Sequence, residues 1–157
     1  MFELTGRVFR FGNVVGPRQT HGVGFDFLRQ LLKNPRKLRI LGDGTQSKSY
    51  IHVRDIVEAV LLAARRTNER FAAYNVATDY ITVTEIAHLA AECAGLDPRS
   101  VEFEYTGGNR GWKGDVPIVR LNADRIRGLG WVCGSNSREA LRQSMMSMLA
   151  DMKAGRI

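Results

Sequence analysis

The sequence predicts an α/β fold on three observations. Short stretches of alternating, β-branched and aromatic residues recur along the chain. Segments with apolar residues at helical spacing lie between them. Gly, Pro and capping residues mark the junctions. Strands and helices that alternate in this way bury their apolar faces against each other in layers.

Arg7–Phe11 alternates and is rich in Val and Phe, so it reads as a strand, ended by Asn13-Val14-Val15-Gly16-Pro17. Phe25-x-Phe27-Leu28-x-x-Leu31-Leu32 has helical spacing, and Pro35 stops it. Leu38–Leu41 is a short strand, Asp43-Gly44 a tight turn, and Ser49–Val53 a further strand. Asp55 opens the apolar helix Ile56–Ala64, and Arg65-Arg66 close it, each charge suiting its end of the helix dipole. Phe71–Val76 is a strand. Thr82-Val83-Thr84-Glu85 is a capping box that opens helix Ile86–Ala94, which Gly95 stops. Val101–Tyr105 alternates as a strand, Thr106–Gly114 is a loop with four glycines, and Val116–Leu121 is extended. Asn122 caps a short helix over Ala123–Leu129, and Ser137 caps the last helix, Arg138–Met152.

The 157 residues fit one domain, with no internal repeat and no low-complexity segment. An apolar content of 44% with regular spacing argues for a packed globule and against disorder. No run approaches the ~20 apolar residues that span a bilayer, and Met1-Phe2-Glu3-Leu4-Thr5 is not a secretory signal. Cys93 and Cys133 lack metal-ligand spacing, and Cys93 reads as a buried small residue. A reduced, cytoplasmic setting follows as the expectation. His21, His52 and His88 show no metal spacing either. The net charge is +7, and residues 1–54 hold an excess of seven positive charges while the remainder is balanced. That excess suits an anionic ligand such as a pyrophosphate, and equally a solvated face. Nucleic-acid binding ranks last, because the basic residues are scattered and no aromatic platform accompanies them.

Five motifs occur in order: Arg10-Phe11-Gly12-Asn13-Val14-Val15-Gly16-Pro17-Arg18, Leu41–Val53, Tyr74-Asn75-Val76-Ala77, Gly114-Asp115-Val116-Pro117 and Leu129-Gly130-Trp131. Together, over residues 7–132, they resemble the C-terminal half of the NAD-dependent epimerase/dehydratase family, the extended short-chain dehydrogenases. UDP-glucose 4-epimerase-like enzymes are the closest resemblance. The family's Gly-rich cofactor loop and Tyr-x-x-x-Lys pair come before these motifs, and neither occurs in this sequence. The resemblance implies remnant strands of a Rossmann-like parallel sheet, Arg7–Phe11 and Phe71–Val76, plus a small mixed α/β substrate-binding domain. The whole chain, 1–157, is then the substrate-binding part of such an enzyme, and Met1 an internal residue used as a start.

In that family a Tyr base assisted by Lys removes a sugar hydroxyl proton while hydride passes to the nicotinamide. This chain supplies none of those groups, so no catalytic residue is assigned. The resemblance implies substrate-binding roles for nine residues. Asn13, at the carboxyl end of a strand, contacts the sugar-nucleotide near its phosphates. Lys48 and Tyr50 share one strand face and suit a diphosphate. Arg110 stands in for the family's loop Arg, whose place Trp112 occupies; Lys113 is the alternative. Asp115 meets the ribose. Gly24, Arg39 and Leu41 form the nucleotide-base slot, with Tyr80 another wall. Phe11 and Gly12 lie near the nicotinamide, and Gly12, at a position often aromatic, opens space. A structural role for each remains the competing reading: Asn13 as a turn residue, Lys48 and Arg39 as solvated side chains, Trp112 as a packing residue.

NAD is the cofactor expected of the full-length enzyme, with none expected to bind this chain alone. The expected partners are a UDP-sugar and either the missing N-terminal half or self-association through exposed strands. Neither nucleic acid nor membrane is expected. The alternative is a non-catalytic nucleotide-sugar-binding or protein-interaction module. The side chains of Val8, Phe9, Phe11, Phe71, Tyr74 and Val76 are expected to lose cover, which makes the isolated chain marginally stable.

Overall fold

A computed structural model describes residues 3–157; Met1 lies outside them. The chain runs β1 (Gly6–Phe11), β2 (Asn13–Val15), α1 (Val23–Lys33), β3 (Lys37–Ile40), β4 (Ser47–Lys48), β5 (Tyr50–His52), α2 (Val53–Arg66) and β6 (Phe71–Val76). It continues through β7 (Ile81–Thr82), α3 (Val83–Cys93), a 3₁₀ turn (Pro98–Ser100), β8 (Glu102–Tyr105), α4 (Asp124–Gly128) and α5 (Ser137–Lys153). The strands pair two by two. β1 with β6, β2 with β5 and β3 with β8 are parallel, and β4 with β7 is antiparallel. Parallel partners need crossovers, and helices α1, α2 and α3 lie along these connections. The α/β expectation holds.

Two apolar clusters hold the fold. The larger joins Phe27, Leu28 and Leu31 of α1, Leu38 and Ile40 of β3, Ile86 and Leu89 of α3, and Leu141, Met145 and Met148 of α5. The smaller joins Ile56, Ala59 and Ala63 of α2 with Tyr74 and Val76 of β6, Ile126 of α4 and Trp131. Local signals set several ends as expected. Both halves of the Thr82/Glu85 capping box form, and Gly95 follows α3 with a positive φ. Tyr74 is pinned by a 2.6 Å hydrogen bond between its hydroxyl and that of Thr67.

The structure differs from expectation at four places, most of them decided by a distant partner. Asn13–Val15 is a strand rather than a terminator, because β5 lies alongside it. Of the predicted strand over Ser49–Val53 only Tyr50–His52 forms: Ser49, whose Oγ accepts the Thr78 amide, separates it from β4, and Val53 already belongs to α2. The cap of α5 is Asn136, which accepts the Glu139 amide. Ser137 instead accepts the Tyr50 amide and donates to the Asp79 carbonyl, tying α5 to β5. Finally, Tyr74 and Val76 are fully buried, contrary to the expected loss of cover, because α2 and α4 pack on them. Val8, Phe11 and Phe71 do stand exposed.

One face remains unpartnered among the described residues. β1 pairs only with β6, so its other edge is free. Val53, Val57 and Leu61, spaced four apart on α2, are 41–51% exposed and form one apolar stripe. No helix among the described residues is long and apolar enough to cross a membrane. None of their His, Cys, Asp and Glu side chains cluster to hold a metal ion.

Candidate functional site

Two adjoining cavities lie where β2, β4 and β5 meet α1 and the Gly-rich loop. The larger holds about 840 Å³ and the smaller about 310 Å³. Asn13, Lys48, Trp112 and Asp115 line both, and so mark their junction.

Lys48 and Asp115 define the electrostatics there. The Lys48 ammonium pairs directly with Asp115 Oδ1, and the Gly111 amide donates to Oδ2 at 3.1 Å. Burial pushes the Asp115 carboxyl up, but Lys48 and the Gly111 and Val116 amides outweigh it and hold the carboxyl below its ordinary value. Lys48 has three donors, so the pair leaves it able to meet a further anion. Arg29 and Arg39 also line the larger cavity, opposed by Asp26.

Tyr50 sits beside this pair, buried against the larger cavity. Burial, reinforced by the Asp115 charge, pushes its phenol up to about 12. The phenol is therefore a hydrogen-bond donor at neutral pH. A folded-state value above the ordinary ~10 means that its contribution to stability is fully present below pH ~10. That contribution is lost as pH rises towards 12, because the unfolded chain ionises first. We expect the protein to lose about 1.4 kcal/mol by pH 11 through this group alone, the worth of one pKa unit. Tyr50→Phe should remove that part of the alkaline loss. Urea unfolding of both proteins at pH 8 and pH 11 is the measurement, and identical pH dependence would refute the assignment.

The other expected site residues separate into groups. Gly24, Arg39 and Leu41 line the larger cavity with Asn13, Lys48, Tyr50 and Asp115. Gly24 has a packing reason as well, since a Cβ there would press on Met145 of α5 at 3.1 Å. Phe11, Gly12 and Tyr80 line the smaller cavity. Tyr80 is thus not brought to the Arg39–Leu41 end. Its hydroxyl accepts the Leu121 amide at 2.9 Å, and the Arg120 guanidinium lies 4.0 Å from its ring centre. Gly12 does not open space: Ser49 fills it, with its carbonyl 3.1 Å from where a Cβ would stand. Arg110 and Lys113 line neither cavity.

The sequence reading missed Gln19, His21, Asp26 and Arg29, and Leu141, Ser144 and Met148 of α5, all of which line the larger cavity. Ser144 donates to the Gly16 carbonyl at 2.9 Å, holding the loop after β2 against α5. A small polar residue amid the apolar face of α5 was the available signal.

The NAD dependent epimerase/dehydratase family model matches residues 1–77. A putative UDP-glucose 4-epimerase from Methanocaldococcus jannaschii is 26% identical over 148 residues, 91% of this chain and 45% of that protein. The crystal structure of a UDP-galactose 4-epimerase superposes with a TM-score of 0.78 at 34% identity, over 93% of this chain and 46% of that one. MoeE5 in complex with UDP-glucose and NAD superposes with a TM-score of 0.77 at 27% identity, over 96% and 49% respectively. The chain therefore spans under half the length of these relatives. The parallel pair β1·β6 joins the two strands that the sequence assigned to a Rossmann-like sheet, and the mixed α/β fold with its short parallel pairs matches these structures.

Proposed function

The chain belongs to the NAD-dependent epimerase/dehydratase family, and from that membership we propose that it is the C-terminal, UDP-sugar-binding part of a 4-epimerase-type enzyme. One observation carries the reading. The shared wall of the two cavities brings Asn13, Lys48 and Asp115 together from three separate segments. Asn13 and Lys48 would hold the diphosphate, and Asp115 would meet the ribose. Gly24, Arg39 and Leu41 would line the base end of the larger cavity. Arg110 and Lys113 stand outside both cavities, so either would need its loop to move inward to touch the phosphates. Binding of the nucleotide in this way would position the sugar for chemistry carried by other groups.

NAD in the full enzyme would take up hydride from the sugar and return it. Phe11 and Gly12 fit the edge of such a site: Phe11 ends β1, Gly12 follows it, and both line the smaller cavity, which shares Asn13 with the larger one. The rest of that site would come from the part of the relatives that this chain does not span. The free edge of β1 and the stripe Val53–Val57–Leu61 are the surfaces that part would cover. A cytoplasmic setting fits two cysteines without a disulfide.

Calorimetric titration of the 157-residue chain tests the reading. UDP should bind saturably, and NAD should not bind at micromolar levels. Micromolar NAD binding would overturn the proposed division of labour. UDP binding by this chain and by its fusion to a cofactor half, without turnover in the fusion, would favour the non-catalytic module instead.

A further inference from the structure

Resting on the UDP-sugar reading, we propose that Trp112 is a stacking platform for the ligand's nucleobase. Trp112 is 67% exposed, an unusual state for so large an apolar side chain. It nevertheless lines both cavities. The other large aromatic rings around the larger cavity, Phe27 and Tyr50, are only 5% and 8% exposed, and the exposed ring of His21 is a smaller, polar imidazole. Trp112 is therefore the large apolar aromatic face that a ligand in that cavity can reach.

The ring is also held in place. It lies over Gly114, where any Cβ would collide with its six-membered edge, so the backbone backs one side of the indole. The neighbouring loop residue Gly111 would place a Cβ 3.9 Å from Leu41, itself 52% exposed and on the cavity wall. Leu41 on the wall of the larger cavity and Trp112 at the junction thus offer exposed apolar surface beside the Lys48–Asp115 pair. An aromatic face next to a charged pair matches a planar base attached to a charged diphosphate. An indole here also contributes no cation, so base stacking would replace charge at this loop.

The inference is tested by intrinsic fluorescence and calorimetry on the 157-residue chain. Trp131 is buried in the smaller cluster, so ligand quenching reads Trp112. UMP should quench, and glucose 1-phosphate should not. Trp112→Leu, a surface change, should weaken UMP binding about tenfold, the lower end of what base stacking on an aromatic residue contributes. Trp112→Arg should bind UMP with a steeper salt dependence. Binding of UMP with no quenching, or with unchanged affinity in Trp112→Leu, would overturn the stacking role and leave the UDP-sugar reading intact. Quenching by glucose 1-phosphate instead would place the ring on the sugar and overturn it too. Failure of both UMP and UDP to bind would overturn both readings.

Discussion

Gly44→Ala is expected to destabilise the protein by about 2–5 kcal/mol, as backbone strain and steric displacement add. Gly44 has φ +81°, a left-handed conformation that costs an L-residue roughly 1–2 kcal/mol. The site is also closed. A Cβ would collide with Thr84 Oγ1 and the Tyr105 ring, which share a 3.1 Å hydrogen bond. Overpacking of this kind typically costs a further ~1–3 kcal/mol. The Gly44 carbonyl also accepts the Thr84 amide at 3.1 Å, so the displaced turn would pull on the start of α3. The same turn feeds Gln46, Ser47 and Lys48, so UDP affinity should fall along with stability. Urea unfolding gives the first effect and calorimetry the second. An unchanged midpoint would mean that the turn relaxes freely, and the claim of a closed site would fail.

Lys48→Ala should act twice. The substitution removes a charge-assisted contact to the ligand's phosphates, worth roughly 1.5–3 kcal/mol, so UDP affinity should fall about tenfold to a hundredfold. It also strips the side-chain partner from Asp115, whose carboxylate is 7% exposed. We expect a stability loss of about 1–3 kcal/mol, the cost of leaving a buried polar group short of a partner. A pH signature separates the two effects. Asp115 is held below its ordinary value in the folded state, so its contribution is present above pH ~4. It is lost as pH falls through the folded value. Lys48→Ala should flatten that acid limb, and Lys48→Arg should keep most of it. Wild-type affinity in Lys48→Ala would remove the phosphate role, whatever its stability.

Local chemistry was legible from the residues alone. The Thr82–Glu85 box, the Gly95 stop, the Phe71–Val76 strand and the basic end of α2 depend on neighbours a few positions away. Their physics is contained in a short window, so pattern and capping rules find them. Asn13, Gly24, Arg39, Leu41, Lys48, Tyr50 and Asp115 line one cavity, although they come from segments far apart in the chain. Ser137 was misread because its hydroxyl looks like a cap in sequence. Its partners, Tyr50 and Asp79, lie 87 and 58 residues away.

Sequence by itself determined the alternation of strands and helices, most of their ends and the resemblance to a family. Each rests on residue type, period and order, which are properties of the linear chain. Only the tertiary structure decided what each polar group spends its hydrogen bonds on. It paired Lys48 with Asp115 across 67 residues, filled the space at Gly12 with Ser49, and turned Tyr80 to Leu121 and Arg120. It also left Arg110 outside the cavities and Trp112 facing into them. A side chain's role follows from which groups reach it in space, and parallel pairing brings together segments that no local window contains.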